Sequence, residues 1–267
     1  MSSPRILLLG GHGKVSLLLT PKLIARSWHV ISIIRSKEQI DDVLAAGQKG
    51  PGKIETLVAN LEEIKTESDA QKVMGNLERR QVNPIVGAGG KGGPERTLAI
   101  DQDACIHFIR RSVATPTIKK FLLVSSLSSR RNRAPWIGDS CYALIQRFNY
   151  EFMPTYYQAK LAADEVLTVL GKERSGFGYI SLRPGRLTDE PETGKVSLGK
   201  TKVQGGVSRA DVAEVAARLL DHDNARGWFD VIDGDVDIKR AVDDVVREGI
   251  DCIEGEDYDL MKQNVGV

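Results

Sequence analysis

The sequence predicts an α/β protein in which one mostly parallel, doubly wound sheet carries helices on both faces. Short runs rich in Val, Ile and Leu alternate with longer helical patterns along most of the 267 residues, which is typical of β-α-β units. The first of these runs ends in a glycine-rich turn that opens a helix. No repeat or long linker marks a boundary before about residue 235, so we expect a single domain over residues 1–267.

Seven segments are the predicted strands, because each is short, apolar and bounded by turn residues. In chain order they are residues 5–10, 29–35, 54–58, 82–87, 119–125, 178–183 and 228–232. The clearest helix follows Ser208, whose hydroxyl lies three residues before Asp211 and precedes an apolar stripe. This arrangement predicts a capped helix that packs on the sheet.

Two segments depart from the alternation of strands and helices. Residues 127–155 combine a basic cluster with several aromatic side chains, and residues 186–207 are rich in Gly, Lys and Thr. Insertions of this length often form the walls or lids of active sites, and a solvated surface loop is the alternative for both. From about residue 235 we expect a small C-terminal substrate lobe, with the acidic stretch 251–259 as a solvated face.

Composition excludes several classes of partner. The chain has 37 basic and 36 acidic side chains, a formal charge of +1, so no bulk field favours nucleic acid or an acidic membrane. Three cysteines without CxxC spacing argue against a disulfide framework or a cysteine zinc site, and fit a reducing compartment. The four histidines are dispersed and no HExxH occurs, so no metal site is predicted. We expect a cytoplasmic protein.

The turn after the first strand has the sequence GGHGKV, residues 10–15. Its glycines allow tight backbone geometry and close approach of a pyrophosphate, whose charge the backbone amides and the helix dipole offset. Because the turn joins a strand to a helix, it predicts a dinucleotide site. The cofactor contacts predicted here are Gly10, Gly11, His12, Gly13, Lys14 and Val15. A P-loop nucleotidase is disfavoured, since no Gly-Lys-Ser/Thr element occurs.

The second strand ends in Arg35, about twenty residues beyond Gly13. At this position NAD-binding proteins carry an acidic residue that hydrogen-bonds the ribose 2′-hydroxyl. A guanidinium suits the 2′-phosphate of NADP instead, and one charge-assisted hydrogen bond of about 1.5–3 kcal/mol corresponds to about 10- to 150-fold in affinity. NADP(H) is therefore the predicted cofactor. Further contacts are predicted after the third and fourth strands, at Asn60, Leu61, Ala88 and Gly89. A turn-forming amide is the alternative role for Asn60.

Ser125 and Ser126 end the fifth strand, and Tyr156 and Lys160 open a later helix, four residues apart and therefore on one face. A lysine ammonium about 4 Å from a phenol lowers the phenol pKa by up to about three, toward neutrality. We expect Tyr156 to exchange a proton with a carbonyl or alcohol oxygen that Ser126 hydrogen-bonds. Lys160 would tune the phenol and hold the nicotinamide ribose. The alternative is an exposed Tyr and Lys without a catalytic role.

With these motifs the sequence resembles the short-chain dehydrogenase/reductase superfamily, in particular the atypical NAD(P)-binding group related to extended epimerases and dehydratases. The resemblance rests on GGHGKV at 10–15, VSS at 124–126, YYQAK at 156–160, LRPGRLTD at 182–189 and VSRADVA at 207–213. It implies a Rossmann fold for residues 5 to about 235, Tyr156 and Lys160 as the catalytic pair, and Ser126 or Ser125 as the serine. It also implies that Ser125, Pro184 and Gly185 lie beside the cofactor.

The sequence therefore favours an NADP(H)-dependent oxidoreductase acting on a small carbonyl compound or alcohol. Two alternatives stay open: an epimerase, isomerase or dehydratase that uses NADP transiently, and a non-catalytic NADPH sensor. The second is included because the family's acidic residue before the adenine-contacting leucine is Asn60 here, and the Asn of its NNAG motif is missing around residues 87–90. A small-molecule substrate is the expected partner, and a homodimer is one option for assembly.

Overall fold

The computed structural model describes residues 4–75, 82–87 and 92–267. Its strands are β1 Arg5–Leu9, β2 His29–Ile34, β3 Lys53–Val58, β4 Val82–Gly87, β5 Lys120–Val124, β6 Gly178–Pro184, β7 Arg186–Thr188, β8 Lys195–Leu198, β9 Gly206–Ser208, β10 Gly227–Asp233 and β11 Val236–Asp237. Its helices are α1 Lys14–Ala25, α2 Ile40–Ala46, α3 Glu67–Met74, α4 Pro94–Thr97, α5 Cys105–Ala114, α6 Asp139–Arg147, α7 Pro154–Glu173, α8 Arg209–Asp221, α9 Ile238–Arg247 and α10 Tyr258–Val265. A π-helical segment, Leu98–Ala104, joins α4 to α5, and a second, Phe148–Phe152, follows α6.

The main sheet of these residues has the strand order β3-β2-β1-β4-β5-β6-β10-β8-β11. The first seven strands of that order run parallel, and they are the seven predicted from the sequence. Strands β8 and β11 add an antiparallel edge that the sequence did not predict. The chain order reverses between β1 and β4, and such a switch point leaves a crevice at the carboxyl ends of the strands.

Helices cover both faces of the sheet, which confirms the doubly wound Rossmann fold. Because successive residues of a strand point to opposite faces, Ile6 and Leu8 pack against one layer of helices, which includes α1, α8 and α9. Leu7 and Leu9 pack against the other layer, which includes α3, α5, α7 and α10. The predicted helix after Ser208 is α8, and the Ser208 hydroxyl accepts from the backbone N–H of Asp211.

The segment after residue 235 continues these same layers. Strand β11 extends the sheet, α9 joins the first helical layer and α10 joins the second. The expected C-terminal lobe is therefore continuous with the sheet and its helices. In the described residues, no helix is long and apolar enough to cross a membrane.

The acidic stretch 251–259 is a solvated face only in part, because Glu254, Asp257 and Asp259 are exposed whereas Asp251 and Glu256 are not. The Glu256 side chain is 1% exposed and pairs with the buried Arg130. Its carboxylate also accepts hydrogen bonds from the backbone N–H groups of Arg131 and Asn132. The expectation fails at Glu256 because this carboxylate satisfies backbone donors of the loop after β5, which local composition does not reveal.

The two irregular segments contain short elements of their own. Residues 127–155 form a loop, α6 and the π-helical segment that leads into α7. Residues 186–207 include β7 and β8 and most of β9, and β7 pairs with β9 in a separate two-stranded parallel sheet.

Candidate functional site

A cleft of about 580 Å³ opens at the carboxyl ends of the parallel strands, where the strand order reverses. Its wall combines the turn after β1, the end of β2, the residues after β3, the end of β5 and the start of α7. Eleven residues predicted as functional from the sequence line it: Gly10, His12, Gly13, Lys14, Val15, Arg35, Asn60, Leu61, Ser125, Tyr156 and Lys160. The fold thus brings the glycine turn and the Tyr156 helix to one cavity.

The glycine turn leaves the start of α1 open to an anion. Gly10 has φ +70°, a left-handed conformation that favours glycine. Gly13 donates its backbone N–H to the Gly10 carbonyl at 2.8 Å and is the N-terminal cap of α1, without a capping side chain. The first turn of α1 contains no acidic residue. Backbone N–H groups at such a helix start bind phosphate.

Gly11 has a different role from its neighbours, because it does not line the cleft. Its N–H donates to the Ile33 carbonyl at 2.8 Å, which fastens the turn to β2. A Cβ at this position would lie 2.6 Å from the Cβ of Ser32. Close packing of turn against strand therefore requires glycine here.

The charge of the cleft wall is one-sided. Among the described residues that line it there are five Lys or Arg and no Asp or Glu. The five are Lys14, Arg35, Arg96, Lys160 and Arg209. A cavity lined by one sign of charge attracts ligands of the other sign, so this wall suits a molecule with several phosphate groups.

Arg35 stands at the rim of the cleft with an exposed side chain. It forms no ion pair with any residue of 4–75 or 92–267. Its backbone N–H donates to the Gln39 side chain at 3.1 Å, and Gln39 also contacts His12 Nδ1 at 3.3 Å. The other ring nitrogen of His12 lies 2.8 Å from Asp42 Oδ2. These contacts hold the end of β2 beside the glycine turn.

Lys14 and Arg209 are linked by one carboxylate. Asp189 accepts from Lys14 Nζ through one oxygen and from Arg209 Nη1 through the other, each at 2.6 Å. The hydrogen bond from Lys14 and the charge of Arg209 lower the pKa of Asp189, so the group is ionised at neutral pH. Sequence reasoning missed Arg209 as a site residue, although it is the Arg of the VSRADVA motif.

Tyr156 and Lys160 lie on one face of α7, with Lys160 Nζ 5.8 Å from the centroid of the Tyr156 ring. Lys160 is 2% exposed and donates to the Val124 carbonyl at 3.0 Å. Its ammonium also pairs with the buried Asp101, from the π-helical segment, at 2.8 Å. Sequence reasoning missed Asp101, since no motif or spacing connects it with Lys160.

The expected lowering of the Tyr156 pKa toward neutrality is wrong in this structure. Burial raises the pKa of the phenol, and although Lys160 acts in the opposite direction, Asp101 adds to the rise. Burial would lower the pKa of Lys160, but the Asp101 carboxylate and the Tyr156 phenol raise it above its ordinary value. Lys160 therefore stays charged, and Asp101 offsets part of the effect of that charge on the phenol.

The two candidate serines point to different surroundings. Ser125 lines the cleft, and its hydroxyl donates to Asp164 Oδ2 at 2.5 Å. Ser126 does not line the cleft, and its hydroxyl contacts that of Ser128 at 3.1 Å. The structure thus brings Ser125, and not Ser126, to the cleft wall.

Four other predicted contacts are not placed at the cleft. Pro184 and Gly185 are absent from its lining. The Pro184 carbonyl accepts from Leu127 N–H, and Gly185 N–H donates to the Val231 carbonyl. Ala88 and Gly89 lie outside the described residues. Asn60 does line the cleft, and its side chain also accepts from Glu62 N–H at 3.1 Å, the turn-forming role named as its alternative.

Comparison with known proteins places this geometry in a wider group. Residues 10–223 match the model of a family described as NAD(P)H-binding. The chain is 31% identical to a UPF0659 protein of Schizosaccharomyces pombe, over 90% of this chain and 94% of that protein. It is 32% identical to an uncharacterised sugar epimerase, YhfK, of Bacillus subtilis, over 89% and 98%.

A solved structure of a protein from Bacillus halodurans, described as an NAD-dependent epimerase/dehydratase, superposes with a TM-score of 0.71 at 27% identity. The superposition covers 91% of this chain and 100% of that one.

In the part of the chain that the structure describes, no group of three or more His, Cys, Asp or Glu is placed to hold a metal ion.

Proposed function

The chain belongs to the NAD(P)H-binding family, and from that premise we propose that it is an NADP(H)-dependent oxidoreductase for a small carbonyl compound or alcohol. One observation carries the proposal: a cleft that is lined, among the described residues, by five cations and no acid joins the glycine turn to Tyr156 and Lys160. A phosphate-bearing cofactor and an acid/base group would meet there.

The residues present fit such a cofactor. The open start of α1, with Gly10, Gly13 and Lys14, would hold the pyrophosphate, because a φ of +70° and an uncapped helix start leave the backbone amides accessible. Arg35 would bind the 2′-phosphate, since its guanidinium is exposed at the rim and forms no ion pair with a described residue. Asn60 and Leu61 would border the adenine, and Lys160 the nicotinamide ribose.

The bound cofactor would supply hydride chemistry, accepting or delivering two electrons and one proton together. Tyr156 would then serve as the acid or base at the substrate oxygen. Ser125 is the serine on the cleft wall, and its proton is donated to Asp164. A hydrogen bond from Ser126 to the substrate would require that side chain to leave Ser128 and turn toward the cleft.

The test begins with calorimetric titration of the purified protein with NADPH and then follows NADPH consumption with a panel of ketones, aldehydes and quinones. For Tyr156→Phe we expect turnover to fall by about 10²- to 10⁴-fold, the usual contribution of a general acid. NADPH affinity should stay within about twofold, since the phenol oxygen touches substrate and not phosphate.

The adjacent Tyr157→Phe is the matched control. Tyr157 is buried against Tyr150, with ring centroids 5.4 Å apart, and is absent from the cleft lining. We expect this control to retain turnover. Full turnover by Tyr156→Phe would overturn the mechanism, and no binding of NADPH would overturn the proposal as a whole.

An epimerase or dehydratase that uses NADP transiently is the second candidate, favoured by the similarity to the Bacillus subtilis protein named as a sugar epimerase. Such an enzyme retains its cofactor through each cycle and shows no net oxidation. Purified protein that carries stoichiometric NADP, and that converts a sugar substrate without consuming NADPH, would support this candidate over the first.

A further inference from the structure

Asp101 and Lys160 form a buried ion pair directly behind the proposed acid/base residue. Both side chains are at most 2% exposed, and Asp101 Oδ1 lies 2.8 Å from Lys160 Nζ. Lys160 also donates to the Val124 carbonyl at 3.0 Å. A lysine ammonium has three donors, so one remains for a ligand in the cleft. The pair therefore fixes both the position and the charge of Lys160.

Among the residues that the structure describes, two further ionisable side chains, Cys105 and Asp164, lie close to this pair. Cys105 from α5 is buried beside it, and burial raises the pKa of that thiol to about 12, so the thiol is neutral. Asp164, one turn along α7, is itself paired with Arg183 at 3.0 Å and accepts from Ser125. The other charged side chains of the described cleft wall are Lys14, Arg35, Arg96 and Arg209. Asp101 is thus the anion in direct contact with Lys160.

We propose that Asp101 is a positioning residue that holds Lys160 in place and offsets its charge at Tyr156, so that Tyr156 stays protonated through neutral pH and acts as a proton donor. The inference rests on the proposed function and goes further, because it states which protonation state the free enzyme presents. Both geometry and electrostatics support it: the ammonium lies 5.8 Å from the phenol ring, and the pKa of Tyr156 is raised by burial with a contribution from Asp101.

A protonated phenol is the form that carbonyl reduction requires. Bound reduced NADP would supply a hydride to the carbonyl carbon, the electron pair of the C=O π bond would move to oxygen, and that oxygen would take the Tyr156 proton. The products are an alcohol, oxidised NADP and a tyrosine phenolate that regains its proton from water. Alcohol oxidation runs through the same atoms in reverse and needs the phenolate at the start.

The first experiment needs no cofactor and no substrate. The pH titration of phenolate absorbance is recorded for the wild type and for Asp101→Asn, and each is repeated in the Tyr156→Phe background so that the difference reports Tyr156 alone. Asp101 Oδ1 lies 2.8 Å from Lys160 Nζ, which is itself 5.8 Å from the centroid of the Tyr156 ring. Removing the Asp101 charge should therefore lower the Tyr156 midpoint by about one to two pH units at an effective dielectric of 20. Asp103→Asn, on the same π-helical segment but absent from the cleft lining, is the matched control and should leave the midpoint in place.

Asp101→Asn leaves the buried charge of Lys160 without its partner, which destabilises a protein. A second variant is therefore included in case Asp101→Asn does not fold. The double variant Asp101→Asn/Lys160→Met removes both charges, and its Tyr156 midpoint should lie above that of Asp101→Asn. In the active enzyme, the alkaline limb of kcat/KM for carbonyl reduction should move to lower pH in Asp101→Asn, by the same amount as the phenolate midpoint.

The outcomes separate the two proposals. An unchanged Tyr156 midpoint in folded Asp101→Asn overturns the inference, even if the wild type reduces carbonyl compounds with NADPH. A lowered midpoint in a protein that binds no NADPH supports the role of Asp101 and overturns the proposed function instead.

Discussion

Ser125 donates its hydroxyl proton to Asp164 at 2.5 Å, and this bond joins the wall of the cleft to the interior of the protein. Asp164 is fully buried and also accepts from Ser129, Ser181 and Arg183. Arg183 in turn pairs with Asp230 at 2.9 Å. The orientation of Ser125 is therefore set by a buried polar network and does not depend on a ligand.

Replacing Ser125 with Ala should reduce the stability of the protein more than its turnover. The substitution removes one of four donors to a buried carboxylate, and we expect a loss of about 1–3 kcal/mol in the free energy of unfolding. Turnover should fall by less than about tenfold, because Tyr156 remains the acid. Urea unfolding and NADPH consumption measure the two effects.

Ser126→Ala is the control for that prediction. Ser126 is half-buried and its hydroxyl contacts only that of Ser128 among the described residues. We expect a change in unfolding free energy within about 0.5 kcal/mol. A Ser126 variant that is less stable than the Ser125 variant would contradict this account of the network.

Gly11→Ala should disturb the phosphate turn without removing any polar contact. Its Cβ would stand 2.6 Å from Ser32 Cβ, and forced overpacking of this kind costs about 1–3 kcal/mol. The unfolding temperature should fall, and NADPH should bind more weakly. Ser32→Gly in the same chain should restore part of each loss, because it removes the clashing atoms.

Gly138→Ala is the matched control for Gly11→Ala. Gly138 precedes α6 with φ −68°, and a Cβ there meets no atom within 4 Å. Its stability and cofactor affinity should match those of the wild type. If both glycine variants behaved alike, close packing of the turn against β2 would not explain Gly11.

Arg35→Ala tests the preference for NADP. Loss of a charge-assisted hydrogen bond of about 1.5–3 kcal/mol should weaken NADPH binding by about 10- to 150-fold, while NADH affinity changes little. Lys37→Ala is the matched control, since Lys37 is equally exposed two residues on but does not line the cleft. Equal losses for NADPH and NADH would show that Arg35 does not select the 2′-phosphate.

Asp189→Asn should strengthen cofactor binding. In the free protein the Asp189 carboxylate forms ion pairs with both Lys14 and Arg209, which line the cleft. Without that negative charge, NADPH affinity should rise by about two- to fivefold, the range of an exposed ion pair, and the gain should shrink as salt is added. Calorimetry at two ionic strengths measures it.

Glu192→Gln separates this effect from a general loss of surface charge. Glu192 lies three residues from Asp189 and pairs with Lys22 at 2.8 Å, and neither of these two side chains lines the cleft. Its NADPH affinity should be that of the wild type. Weaker binding by Asp189→Asn would mean that the carboxylate orders the site and does not compete for it.

Local patterns predicted the parts of this protein that depend on neighbours in sequence. The glycine turn follows directly from β1, and Tyr156 and Lys160 share a face because they are four residues apart on α7. The position of Arg35 at the end of β2 was predicted in the same way, because the apolar run of that strand ends just before it. The seven parallel strands were predicted by this kind of evidence.

Contacts between distant segments were not visible in those patterns. Ser125 and Asp164 are 39 residues apart, and Lys14 and Asp189 are 175 residues apart. Nothing in the spacing of residues indicated that Asp101 would pair with Lys160. Burial of the phenol, with a smaller contribution from Asp101, raises the Tyr156 pKa that was expected to fall. Periodicity assigns a side chain to a face, but the partner on the facing element depends on how the elements pack.

Local sequence patterns were enough to predict the seven parallel strands, the glycine turn and the residue types at the cleft. Which of the charged groups at the cleft are paired depended on the packing of distant segments, as for Asp101 with Lys160 and Asp189 with Lys14 and Arg209. The physical reason is that a strand or turn is selected by interactions among neighbouring residues, whereas a buried charge takes whichever distant partner the packing brings within hydrogen-bond reach.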